Sequence, residues 1–218
     1  VDDELFIPFD ESIPEHVASR ESLRSRYGVS EGSPLILAVG RLAARKGYTT
    51  LLRAFPLIRE SEPRARLLIV GRGGMKSKLM NQASRMGFSD ALAIESSLPF
   101  DELSEVYRAS DLTVFPSYYE GQGLIPLESM SSGVPIVATN DGPIPEMVDE
   151  NVGALFEMGD HISLAEVVIR ELANKESLAR KGDAGRERVL DKFTFRQSCG
   201  RFESIYRAAM GTRLIDQS

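Results

Sequence analysis

The 218-residue sequence is short of cysteine, with Cys199 alone. One thiol forbids an intramolecular disulfide and fits a reducing compartment. Long hydrophobic runs are missing too. The longest are five or six residues, against roughly 20 for a helix that spans a bilayer. Neither an initiator Met nor a charged-then-apolar signal segment opens the chain at Val1, so it reads as a processed product or an excised piece of something longer. Basic residues are outnumbered, 26 Lys+Arg to 32 Asp+Glu, for a net charge of −6. That balance argues against a general nucleic-acid binder, which carries a basic face. Two phosphate-binding signatures are also lacking. There is no G-x4-G-K-[ST] loop, and the segment after the first apolar run, Gly40-Arg41-Leu42-Ala43-Ala44-Arg45, is not G-x-G-x-x-G, which disfavours an NAD-dependent oxidoreductase or a sugar-nucleotide epimerase. The two histidines, His16 in a polar stretch and His161 near a helix start, read as surface residues.

What is present is an ordinary globular composition, 42% hydrophobic and 27% charged, in a chain long enough for one large domain or a domain and a half. Short apolar runs recur at 35–39, 67–70, 91–94, 112–115, 136–138 and 154–156, each bounded by Gly, Pro, Ser or Asp. Runs apolar on both faces are strands buried on both sides of a parallel sheet. Amphipathic helices lie between them, marked by Leu51, Leu52, Phe55 and Ile58, by Leu103, Val106 and Tyr107, and by Leu164, Val167, Val168 and Leu172. Alternating strands and helices predict an α/β fold, a Rossmann-like doubly wound parallel sheet of about six strands with a helical tail. Residues 1–33 read as a polar lead-in, 34–192 as the Rossmann-like domain and 193–218 as a final helix and tail. On that helix Phe195, Cys199, Phe202 and Tyr206 form an apolar stripe, which docks either on its own domain or on a missing one. Cys199 is expected to be inert packing.

In such folds ligands bind beyond the carboxyl ends of the strands. After the first strand Arg41, Arg45 and Lys46 stand within six residues before a helix. Free N–H groups, the helix dipole and the cations together suit an anion, although a solvated loop is the plainer reading. After the second strand Gly71-Arg72-Gly73-Gly74 reads as a flexible turn. The densest segment follows the fourth strand: Ser117-Tyr118-Tyr119-Glu120-Gly121-Gln122-Gly123-Leu124-Ile125-Pro126-Leu127-Glu128. Pro126 is tolerated only in a first helical turn, so the helix starts near Leu124. Gly121 and Gly123 would let a ligand reach backbone N–H groups at that positive end. Glu120 in the loop and Glu128 about one turn into the helix flank the same turn. Either carboxylate alone would be a surface residue. Together they suit hydroxyls on both sides of a diphosphate, which describes a nucleotide sugar.

EGQGLIPLE at 120–128, followed by SMSSGVPIVAT at 129–139, resembles the E-x7-E segment of retaining GT-B glycosyltransferases, the large family 4 group. VGRLAARKG at 39–47, LLIVGRGG at 67–74 and GPIPEMV at 142–148 fall in the order that family shows. The resemblance covers roughly residues 35–210. It implies that Gly40, Arg41 and Lys46 meet the donor diphosphate, and that Gly121, Gln122, Gly123 and Leu124 cap it through the backbone. It implies that Glu128 receives the ribose hydroxyls and that Glu120 orients the donor sugar. Ser96-Ser97-Leu98 would cradle the base, with Ser96 in place of the family's usual Gly. Arg41, Lys46 and Glu120 would be the residues of catalysis.

The implied activity is transfer of a hexose from a UDP- or GDP-sugar with retention. It needs no cofactor and no essential metal, and no two Asp residues form D-x-D. The implied setting is cytoplasmic, in cell-envelope or polysaccharide synthesis, with any membrane contact made through another lobe. Family members have two lobes, and this chain resembles the C-terminal, donor-binding one. Its partners would then be the NDP-sugar and an N-terminal acceptor-binding lobe, and the chain alone would be inactive. A non-catalytic nucleotide-sugar-binding module, or half of a split enzyme, is the alternative.

Overall fold

Each apolar run becomes a strand, because its side chains alternate between two faces that both need covering. The computed structural model describes residues 1–96, 98–121 and 123–215. Among them, β1 (Leu35–Val39), β2 (Arg66–Val70), β3 (Leu92–Glu95), β4 (Leu112–Phe115), β5 (Ile136–Thr139) and β6 (Gly153–Phe156) form one parallel sheet in the order β3-β2-β1-β4-β5-β6. Pairing is in register, with Ile36 beside Leu67 and Leu112. The third run begins one residue early in the sequence reading, because Ala91 belongs to a 3-10 turn at Ser89–Ala91.

The alternation separates two cores. Ile36, Ala38, Leu67, Ile69 and Val114 face one layer of helices. That layer is α2 (Tyr48–Ser61), α3 (Lys76–Arg85) and α7 (His161–Leu172). Leu35, Leu37, Leu68, Val70 and Phe115 face the other. There lie α1 (Pro14–Arg26), α4 (Phe100–Ala109), α5 (Leu124–Ser131), α6 (Ile144–Met147) and α8 (Lys175–Lys192). Leu51, Leu52, Phe55 and Ile58 of α2 are fully buried, as their spacing predicts. Asp160 starts α7 by accepting the Ile162 and Ser163 N–H groups at 2.8 and 3.1 Å, an N-cap worth about 1 kcal/mol.

Residues 1–33 take part in this packing. Phe6, Leu23 and Val29 are buried in the second core. Arg24 of α1 donates to Asp111 and to the Ala109 carbonyl, each at 2.9 Å. The last helix, α9 (Phe195–Ile215), departs from one expectation. Phe195, Phe202 and Tyr206 are 65%, 61% and 67% exposed, and Cys199 is an exposed free thiol. The stripe therefore does not dock on its own domain, and Cys199 is not packed. Heptad-like spacing marks a face that could be covered without saying by what.

Candidate functional site

Strand order reverses between β1 and β4, and in an open parallel sheet the crevice for a ligand opens at that point. The two loops singled out in the sequence leave these two strands. Gly40 follows β1, and its carbonyl accepts the Tyr48 hydroxyl at 2.9 Å. Arg41 is exposed, and Leu42 turns back into the core. A 3-10 turn, Ala44–Lys46, then leads to Gly47, which starts α2 at φ 67°. A Cβ on Gly47 would lie 1.7 Å from the Pro116 carbonyl oxygen. The missing side chain is what lets the β1 and β4 loops touch. The Tyr118 N–H then donates to the Arg45 carbonyl at 2.8 Å, and the Thr50 and Tyr118 hydroxyls pair at 2.6 Å.

This closeness unites a cation and a carboxylate that lie 74 residues apart. The Lys46 side chain is 9% exposed and its ammonium bonds Glu120 Oε2. The same nitrogen sits 5.3 Å above the Phe115 ring. Glu120 Oε1 accepts the Gly121 N–H at 3.3 Å. A buried ammonium needs a partner, and here that partner comes from the carboxylate-bearing loop. Of the two cations read as a pair, Lys46 is packed into this cluster and Arg41 is exposed.

Beyond Glu120 the chain opens. Nothing lies within 4 Å of where a Cβ on Gly121 would be. Gly123 takes φ 66° and is the cap residue before α5, and Leu124, 52% exposed, is its first helical residue. Pro126 falls in the first turn, as expected. The first-turn N–H groups of α5 have no partner within the helix, so this end is suited to an anion. Gln122 and Ser97 lie outside the described residues. Leu98, beyond β3, is partly buried against the second core, and the Lys76 ammonium donates to Ser96 Oγ at 3.2 Å.

Glu128 has a different setting. It projects from α5, and its Oε2 accepts the Tyr107 hydroxyl at 3.0 Å. Burial pushes the Glu128 carboxyl above the usual carboxylate value, and the bond from Tyr107 opposes that rise. Tyr107 is fully buried, so its phenol is raised well above the usual value, by burial first and by the adjacent carboxylate second. The sequence pattern marks Tyr107 only as a core position of α4. The available signal was chemical: a buried tyrosine hydroxyl needs a partner, and Glu128 is an acid in a mostly buried helix.

A cleft of about 550 Å³ opens at the opposite, amino end of the sheet, beside Arg20, Arg24, Asp111 and Lys175. Its two arginines are committed to Asp111 and to backbone carbonyls of Arg108, Ala109 and Ser33. It therefore reads as a packing seam between α1 and the sheet.

The family model described as glycosyl transferases group 1 matches residues 19–188. The chain belongs to the glycosyl transferases group 1 family. The match runs from α1 into α8, so it includes the whole sheet and both loops of the crevice. The chain is 31% identical over 195 residues to a GDP-mannose-dependent alpha-(1-6)-phosphatidylinositol monomannoside mannosyltransferase of Mycolicibacterium smegmatis, covering 86% of this chain and 51% of that one. It is 32% identical over 203 residues to the mannosylfructose-phosphate synthase of Agrobacterium fabrum, covering 89% and 43%. The chain thus spans about half the length of the curated relatives it matches.

Among solved structures, the sucrose-phosphate synthase of Thermosynechococcus elongatus superposes with a TM-score of 0.82 at 26% identity, over 97% of this chain and 51% of that one. Anabaena HepE in complex with UDP and glucose superposes at 0.83 and 20% identity, over 95% and 55%. The C-terminal domain of a group 1 family protein of Francisella tularensis superposes at 0.75 and 21% identity, over 89% of this chain and 99% of that domain. The fold is that of one lobe of a GT-B glycosyltransferase, as the motifs implied. An oxidoreductase reading is set aside by the family. Among the described residues, no helix is long and apolar enough to cross a membrane.

Proposed function

We propose that this chain is the donor-binding, C-terminal lobe of a retaining, metal-independent glycosyltransferase that moves a hexose from an NDP-sugar to an acceptor. One observation carries the reading. The crevice between β1 and β4 gathers Lys46, Glu120, the open Gly121 and the start of α5. Relatives described as GDP-mannose-dependent, and a neighbouring structure holding UDP and glucose, support an NDP-sugar as donor.

In this reading the diphosphate lies against the α5 N-terminus, with Lys46 and Arg41 beside it. The sugar hydroxyls donate to Glu120, sharing or replacing its bonds to Lys46 and Gly121. The ribose hydroxyls donate to Glu128, and the base lies near Ser96 and Leu98. As the bond between the anomeric carbon and the phosphate oxygen breaks, that oxygen gains negative charge. Fixed N–H groups and cations stabilise this charge more in the transition state than in the ground state. One such preorganised donor is worth roughly 3–4 kcal/mol of barrier, which makes a mobile divalent ion redundant.

The acceptor belongs to an N-terminal lobe, so this chain alone is expected to bind donor without transferring it. A setting in the cytoplasm is part of the same proposal.

Calorimetric titration of this chain with UDP, GDP and ADP in the presence of a chelator tests the reading. Binding of one of them, weakened about tenfold or more by Lys46→Ala, is the expected result. No binding of any at millimolar concentration, or an unchanged affinity in Lys46→Ala, would contradict it.

A further inference from the structure

We propose that Tyr107 is a positioning residue for donor recognition, its hydroxyl fixing the Glu128 carboxylate in the orientation that receives the ribose diol. The inference rests on the donor-lobe reading and adds to it a residue that makes no ligand contact itself.

The geometry has three parts. Tyr107 is immobilised: it is fully buried on α4, and its ring meets Phe6 edge-on at 5.7 Å between centroids and 82° between planes. Its hydroxyl reaches across to α5 and donates to Glu128 Oε2 at 3.0 Å. Among the described residues this is the carboxylate's hydrogen bond to a side chain, which leaves Oε1 available to another donor. The carboxylate is also not sealed in, since Glu128 is only half-buried.

The chemistry follows from this arrangement. A glutamate side chain has several rotamers, and ordering them costs free energy that must come from the ligand contact. A phenol anchored in a rigid core imposes one orientation beforehand. The paired hydroxyls of a ribose then meet an acceptor that is already aimed. The phenol is a single neutral donor, so it occupies one carboxylate oxygen without competing for the other as a multi-donor cation would. The Val1 ammonium acts on the same carboxylate through its charge and favours the ionised form. Burial keeps the phenol protonated, so it remains a donor through the neutral range. The pairing was invisible in sequence because α4 and α5 meet only in the folded lobe.

The test compares ribose-dependent with ribose-independent binding. Wild-type chain, Tyr107→Phe, Glu128→Ala and the double variant are titrated with UDP and GDP and with their 2′,3′-dideoxy forms. Thermal melting verifies that each variant folds. Phenylalanine keeps the ring and its packing and removes only the hydroxyl. The expected result is that Tyr107→Phe weakens the ribonucleotide about fivefold and the dideoxynucleotide by less than about twofold. It should add nothing in the Glu128→Ala background, where there is no carboxylate to aim.

Equal losses for both nucleotides, or no loss for either, would overturn the inference and leave the donor-lobe reading standing. A full additional loss in the double variant would overturn it in the same way, because Tyr107 would then act through packing alone. Should Tyr107→Phe not fold, the wild-type and Glu128→Ala titrations decide: equal affinity of wild type for the ribo and dideoxy forms overturns the inference. Failure of the wild-type chain to bind any of these nucleotides would overturn the donor-lobe reading and this inference with it.

Discussion

The two glutamates of the E-x7-E segment have different physical circumstances. Glu120 is bonded by a buried ammonium and a backbone N–H. Glu128 is set into the lobe with a neutral phenol as its side-chain partner. Burial raises the Glu128 carboxyl above the usual 4.5. Between 4.5 and its folded value the native lobe holds this proton more firmly than the unfolded chain does. Stability from this site is therefore fully present below 4.5 and is lost as pH rises through the folded value. At neutral pH the ionised, half-buried carboxylate is a net cost to stability, which the proposed ribose contact would explain. Glu128→Gln, a neutral isostere that still accepts from Tyr107, should melt higher than wild type at pH 7, with the difference vanishing below about pH 4.5. A thermal-melting series across pH measures this; a Gln variant less stable at pH 7, or a pH-independent difference, would argue against it. Which residues were candidates could be read from composition and spacing. Their partners could not: Lys46 with Glu120 and Tyr107 with Glu128 join positions 74 and 21 residues apart.

The elements were legible because the parallel sheet writes a simple pattern. Strands covered on both faces are short unbroken apolar runs, and β1 and β4 have the bounds those runs give. Less legible was how closely the strand-to-helix loops approach one another, since glycine signals permission for a conformation and not its reason. Two glycines of the site separate these meanings. Gly47 combines φ 67° with a Cβ position 1.7 Å from Pro116 carbonyl oxygen. Gly47→Ala should therefore push the β1 and β4 loops apart and destabilise the lobe by about 3 kcal/mol or more. Gly121 has open space where a Cβ would be, and its φ is not in the left-handed region. Gly121→Ala should leave the melting temperature nearly unchanged and weaken nucleoside-diphosphate binding, because the new methyl group would face the ligand. Melting curves and titrations on the two variants verify the contrast. A stability loss in Gly121→Ala as large as that in Gly47→Ala would remove the ligand-based explanation for Gly121.

For the whole molecule, one sheet separates two cores, and the crevice lies where its strand order reverses. The net charge of −6 is unsuited to binding long polyanions. Inside that acidic molecule, Lys46 and the start of α5 make the small region that the proposal assigns to one diphosphate. The exposed stripe of α9 marks where sequence legibility ends: spacing announces an apolar face, and only the structure shows that this domain does not cover it.

The central claim is the location of the diphosphate. A crystal structure of this chain with whichever of UDP, GDP or ADP binds it tests that claim most directly. The expected result is the diphosphate against the α5 N-terminus with the Lys46 ammonium within hydrogen-bonding reach, and the ribose hydroxyls at Glu128. A nucleotide found in the cleft at the amino end of the sheet, or bound with Lys46 still paired only to Glu120 and no phosphate beside it, would contradict the claim.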